Sequence, residues 1–195
     1  NLPFPIILHD CTLRDGNHAA GHKLTSEQIL RYAKLASDAK IAEIEVGHGN
    51  GLGASSLQVG LSSNTDRELI QAARSAIEGP RLAVHAIPGY AKKVDLLDAI
   101  ELGVDIFRIA THVTESNLAF PYLDLVRVHG KRAHGVLMMS HMASPADLLF
   151  RAMELEAHGA EAVIVMDSAG TYLMPDVAER IALLTTKLQI PVGFH

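Results

Sequence analysis

Arg14, Asp15 and His18 fall within five residues of one another in the stretch DCTLRDGNHAAGH, Asp10 to His22. Each type brings a distinct capability. A carboxylate can ligate a cation, a guanidinium can hold developing negative charge, and an imidazole exchanges a proton near neutrality. Polar groups recur after later apolar runs: His48–Gly51 (HGNG), Thr111–Glu115 (THVTE), Ser140–Met142 (SHM), Asp167–Gly170 (DSAG) and His195. Asp15 with His195 would suit Mn2+, Fe2+, Co2+ or Zn2+, the oxygen donor favouring the earlier members. Two groups are thin for a metal site. A histidine two residues beyond His195 would face the same way along a strand and is the expected third ligand. Taken singly, Asp15 also reads as a loop cap or a partner of Arg14, and His195 is one of 11 histidines.

The lysines narrow the chemistry. A Schiff-base aldolase needs a lysine buried at a strand end. Lys23, Lys34, Lys40, Lys92, Lys93, Lys131 and Lys187 all read as helix, loop or strand-entry residues. Carbon–carbon chemistry here would therefore need a metal as electron sink. Ser168 does not match the GxSxG nucleophile elbow, and its hydroxyl better suits holding a substrate carboxylate or carbonyl. Cys11 has a packing reading beside a nucleophilic one.

Short apolar runs alternate with amphipathic ones and would position these groups. Strands are predicted at Ile6–His9, Ala42–Val46, Arg81–Ala86, Ile106–Ala110, Ala133–Met138, Ala162–Met166 and Val192–His195. Helices are predicted near Ser26–Ala39, Thr65–Ile77, Lys92–Leu102, Tyr122–His129, Pro145–His158 and Pro175–Lys187. Thr25 with Gln28 forms a capping-box pattern, and Ile29, Ala33 and Ala36 hold one helical face. Runs such as AVIVM are apolar at every position, as in a parallel sheet covered on both sides. Repeated βα units leave an open doubly wound sheet or a barrel. The first turn lacks the glycine-rich phosphate fingerprint of the open sheet, so the expected fold is a (β/α)8 TIM barrel cut after about seven strands. In a barrel, the polar groups just named would share the C-terminal mouth, whereas Lys40, Gly103, Lys131 and Gly159 would mark the other end.

The 195 residues suffice for one sizeable core, and the whole of 1–195 is expected to be a single catalytic barrel domain lacking its C-terminal part. The net charge of −5 shows no basic block, which argues against nucleic acid. No apolar run reaches the roughly 20 residues of a membrane helix, and no signal-peptide pattern opens the chain. One cysteine rules out an internal disulfide and fits the cytoplasm.

The segments TLRDGNHA, IEVGHGNGLGASSLQVG, RIATHVTES, GVLMMSHM and MDSAG resemble the pyruvate-carboxylase/HMG-CoA-lyase-like family of metal-dependent barrels, over essentially the whole chain. The later segments point to its aldolase branch. The resemblance implies a class II aldolase that splits 4-hydroxy-2-oxoacids into pyruvate and an aldehyde. It implies Asp15 and His195 as metal ligands, with Mn2+ foremost, Arg14 as the steadier of enolate charge, His18 as base and Ser168 as a substrate contact. Arg14, Asp15, Ser168 and His195 would all face substrate. It also implies an acylating acetaldehyde dehydrogenase as partner of the full-length protein. An acyl-CoA lyase, a Claisen-type synthase of the same superfamily, or an inactive barrel fragment remain the alternatives. His48, His112 and His141 are weaker pocket candidates, His85 reads as a core histidine, and Asp10 as an orienter of a ligand.

Overall fold

A computed structural model describes residues 6–195. Strand and helix alternate: β1 (His9–Leu13), α1 (Ser26–Asp38), β2 (Glu43–Val46), α2 (Asp66–Ala76), β3 (Arg81–Ala86), α3 (Lys93–Glu101), β4 (Ile106–His112), α4 (Phe120–Val128), β5 (Arg132–Met138), α5 (Pro145–Ala157), β6 (Ala162–Val165), α6 (Met174–Lys187) and β7 (Val192–Phe194). The chain divides into two compact units, the first ending at Ile106 and the second running Phe107–His195.

In the first unit β1, β2 and β3 lie side by side in chain order, and both pairings are parallel. The helices start where local chemistry tells them to. Thr25 accepts from the Gln28 amide while the Gln28 side chain accepts from the Thr25 amide, closing the predicted capping box; Thr65 and Glu68 do the same for α2. Helix α1 buries Ile29, Ala33 and Ala36, the face its spacing predicts. Ile44, Leu69, Ile70, Leu82 and Leu96 fill the core of this unit and are essentially inaccessible. Each such side chain contributes about 1.5–3 kcal/mol by leaving water.

In the second unit β4 to β7 are neighbours in chain order, and the β5–β6 and β6–β7 pairings are parallel. Phe107, Ile109, Leu123, Val136, Leu137, Leu148, Leu155, Val163 and Val165 form its core. A seven-residue 3₁₀ segment, Val113–Ala119, precedes α4 and was not foreseen; Pro121 sits in the first turn of α4 and fixes where the regular helix begins.

One strand departs from expectation. The predicted Ile6–His9 strand is displaced: Ile6, Ile7 and Leu8 stand 78%, 54% and 58% exposed, and pairing begins only at His9. The reason is that β1 is anchored by polar groups. His9 lies in register with Glu43 of β2, and its imidazole bonds the carboxylates of Glu43 and Glu45.

Candidate active site

The chain leaves β1 through a tight turn that brings three of the candidate residues together. The Arg14 amide donates to Cys11 O, and a 3₁₀ turn over Asp15–Asn17 closes with the His18 amide on Asp15 O at 3.0 Å. Buried Asn17 donates from Nδ2 to Gly47 O at 3.0 Å and ties this turn to the end of β2.

Arg14 is 4% exposed, and its guanidinium is held from three sides. Nε donates to Glu45, and Nη1 donates to Asp15 Oδ1 at 2.9 Å and to Gly49 O at 3.1 Å. Nη2 is buried without an acceptor among the described residues. A buried donor left in that state costs about 1–3 kcal/mol, so Nη2 is available to an acceptor beyond the described residues. Asp15 is half exposed, with one oxygen engaged by Arg14 and Oδ2 bonded to nothing described. A hard oxygen donor with an open valence fits a divalent-cation ligand.

His18 is exposed, and neither ring nitrogen bonds to a described residue. Its ring meets His22 edge-on, with centroids 5.1 Å apart at 71°. His22 in turn stacks on His48 at 3.7 Å and 12°. Buried His48 accepts the Asn50 amide at Nδ1 and donates from Nε2 to Gly60 O, so it closes its own loop rather than facing outward.

At the opposite end of β1 lies a second cluster that the sequence did not single out. His9 donates from Nδ1 to Glu43 at 2.9 Å and from Nε2 to Glu45 at 3.0 Å. Burial pushes this imidazole down, but its bonds with Cys11, Glu43 and Glu45 and the charge of Glu45 prevail and raise it to about 10. His9 is therefore a cation at neutral pH. The ligand atoms of His9, Cys11 and Glu45 lie within 4.8 Å of one another, a group of nitrogen, sulfur and oxygen donors that could hold a metal ion. A proton already occupies the His9 nitrogen such an ion would need. The available signal was EIEV, a strand with two acids at alternate positions, facing His9 and Cys11 at the same spacing.

In the second unit Ser168 follows β6 and His195 follows β7. Ser168 Oγ accepts the Met139 amide at 3.0 Å, and the Asp167 amide donates to His195 O at 2.9 Å. The Asp167 carboxylate takes the amides of Thr171 and Tyr172, each at 3.0 Å. His195 is half-buried, its amide bonded to Val165 O at 2.9 Å.

Two further candidates, His112 and His85, are placed by local structure. His112 Nδ1 accepts the Thr114 amide and caps the turn after β4, and His85 is buried in β3. The partners of Asp10 lie within the fold. Alternation along β1 turns it toward α1, where its carboxylate accepts Tyr32 OH at 2.7 Å, while Oδ1 accepts the Thr12 amide at 2.8 Å.

Six βα units and a seventh strand, with polar groups following the C-terminal ends of the strands, define a fold of the (β/α)8 barrel class, seven of whose strands are present in this chain. The chain belongs to the HMGL-like family, which matches residues 5–195. It is 50% identical over 191 residues to the 4-hydroxy-2-oxovalerate aldolase of Pectobacterium atrosepticum and 48% identical to that of Spirochaeta aurantia. Both matches cover 97% of this chain and 56% of the relative, so the chain spans little more than half the length of these proteins. Among solved structures, the carboxyl transferase domain of Rhizobium etli pyruvate carboxylase shares the fold at TM-score 0.81 and 18% identity, covering 97% of this chain and 35% of that one. The N-terminal domain of a Bacteroides vulgatus protein does so at TM-score 0.81 and 20% identity, covering 97% and 64%.

Proposed function

We propose that this chain carries catalytic groups of a divalent-metal-dependent aldolase that cleaves 4-hydroxy-2-oxoacids of the 4-hydroxy-2-oxopentanoate type into pyruvate and acetaldehyde. The observation that carries the reading is Arg14 Nη2, a buried cationic donor with no described acceptor, on the same turn as Asp15 and His18. The name shared by relatives at 48–50% identity supports the same reaction.

The chemistry follows from charge. His18 takes the proton of the C4 hydroxyl, the C3–C4 bond breaks, and the C4 oxygen becomes the aldehyde carbonyl. The bonding pair remains on the other fragment as an enolate, which a proton at C3 converts to pyruvate, so protons and electrons balance. Arg14 Nη2 supplies a fixed positive donor to the enolate oxygen as its charge grows. General-base help from His18 is worth about 10²–10⁴ in rate, and an imidazole suits the task because it titrates near neutrality. Asp15 and His195 would hold the dication, which when bound supplies Lewis-acid polarisation to the 2-oxo and carboxylate oxygens. Oxygen donors favour Mn2+. The Ser168 hydroxyl would hold the substrate carboxylate or carbonyl. An acylating acetaldehyde dehydrogenase as partner, and a cytoplasmic setting, belong to the same reading.

The test is pyruvate release from 4-hydroxy-2-oxopentanoate by the full-length enzyme, before and after chelation, beside turnover of an acyl-CoA thioester. Metal-dependent pyruvate release is the expected result. Turnover of the thioester without pyruvate release would assign the chain to acyl-CoA lyase chemistry instead.

A further inference from the structure

His18 poses a problem of orientation. A histidine acting as base commonly has its second ring nitrogen fixed by a hydrogen bond, which selects the tautomer and aims the ring. No described residue makes that bond to His18. Among the described residues, packing sets the direction of the ring.

Two surfaces provide that packing. Below the ring lies Gly49: a Cβ there would come 2.4 Å from His18 Cε1 and 2.5 Å from Nδ1 and Nε2, so the ring rests directly on the glycine backbone. Beside it stands the ring of His22, edge-on at 5.1 Å. His22 is itself immobilised. Its Nδ1 accepts the Gly49 amide at 3.3 Å, its face stacks on fully buried His48, and a Cβ at Gly60 would fall 2.5 Å from its Cδ2. Its backbone is strapped by the His22 amide on Asn17 O and by the Ser63 amide on His22 O. The φ of His22 is +58°, in the left-handed region that is uncommon for residues other than glycine, although histidine enters it more often than most. The fold holds this residue in a costly conformation, and the result is a ring seated against the proposed base.

The protonation of the pair is fixed by its bonds. Both Nδ1 atoms accept backbone amides, so the ring proton of each sits on Nε2. Burial, then the neighbouring His48 and His18, holds His22 below the usual histidine range, which agrees. A neutral, stacked wall can press on His18 without competing for its proton or repelling its charged form.

We infer that His22, backed by His48 and working with the bare backbone of Gly49, is a positioning residue that aims the His18 ring at the substrate hydroxyl. This inference rests on His18 being the base, and the experiment separates the two claims. In the metal-loaded, full-length enzyme, kcat, KM for 4-hydroxy-2-oxopentanoate and metal affinity are measured for His18→Ala, His22→Ala, His22→Phe, Gly49→Ala and the His18→Ala/His22→Ala double variant, with thermal unfolding confirming each fold. A misplaced catalytic group can cost about 10²-fold in rate. His22→Ala and Gly49→Ala are expected to lower kcat by about 10- to 100-fold, with KM and metal affinity within about twofold. His22→Phe, which keeps a flat neutral ring at the same place, is expected to recover most of that loss. In the His18→Ala background the second substitution is expected to change nothing further, because coupled residues do not add. Full additivity in the double variant, or a folded His22→Ala enzyme with undiminished kcat, overturns the positioning role. If His18→Ala itself retains full kcat, the base assignment is what fails.

Discussion

The two ends of β1 carry similar residue types in opposite states of completion. At the His9 end every charge has its counter-charge: an imidazolium lies between Glu43 and Glu45, and Arg81 stands 3.9 Å from Glu43. At the Arg14 end the valences stay open, with Nη2 of Arg14, Oδ2 of Asp15 and both ring nitrogens of His18 unengaged by described residues. Glu45 serves both ends, accepting from His9 Nε2 and Arg14 Nε. A completed buried cluster fixes the strand, whereas an incomplete one costs free energy until a ligand completes it. The same strand thus joins a structural anchor to the turn proposed to react.

The largest expected effect lies at the open end. Lysine at position 14 keeps the charge but cannot reach Glu45, Asp15 and Gly49 together and still present a free N–H. Arg14→Lys is expected to lower kcat for pyruvate release by about 10²–10³-fold, the range found when one donor to a developing oxyanion is removed. Stability measured by urea unfolding should fall far less. If kcat drops no more than stability does, the open valence of Nη2 has no part in the reaction.

The next effect lies at the closed end and appears in pH. His9 is raised from 6.5 to about 10 in the folded protein, so the native state binds the proton more tightly than the unfolded chain. The stability it confers is fully present below pH 6.5 and is lost as pH rises through about 10. Urea midpoints should therefore decline between those limits. His9→Gln should remove the slope and, by leaving two carboxylates facing each other, cost about 3 kcal/mol at pH 6. A wild-type profile that is flat from pH 6.5 to 10 would show that the closed end is not held by a proton.

The contrast between the two ends also marks what the sequence could show. Alternating apolar and amphipathic runs sufficed for β3, whose predicted and observed limits coincide at Arg81–Ala86, and for the Thr25 capping box, because those signals are local. The cluster of Arg14, Asp15 and His18 was legible because one turn brings them together in the chain itself. The His9 anchor was not, because it joins residues 34 and 36 positions apart, and its polar inward face disguised β1 as an exit from an apolar strand. The His22–His48 stack was hidden for the same reason: nothing local says that two loop histidines 26 positions apart in the numbering will lie ring upon ring.

The smallest effect tests the face of β1 that points away from both clusters. Asp10 accepts Tyr32 OH at 2.7 Å and the Thr12 amide at 2.8 Å, so it pins α1 to the strand that carries the reactive turn. The carboxylate is held below its usual range by the bonds from Thr12 and Tyr32 and by the His9 charge, although burial works against this. Tyr32→Phe removes only the hydroxyl. A charged hydrogen bond of this kind contributes about 1.5–3 kcal/mol when buried, and the partial exposure of Asp10 brings the expected loss down to about 1 kcal/mol. The urea midpoint should shift accordingly, while kcat and metal affinity stay at wild-type values because the bond that is lost ends on Asp10, outside the turn of Arg14, Asp15 and His18. A fall in kcat without a matching loss of stability would mean that the outer face of β1 reaches the chemistry after all, and that Asp10 acts on the ligand through the strand.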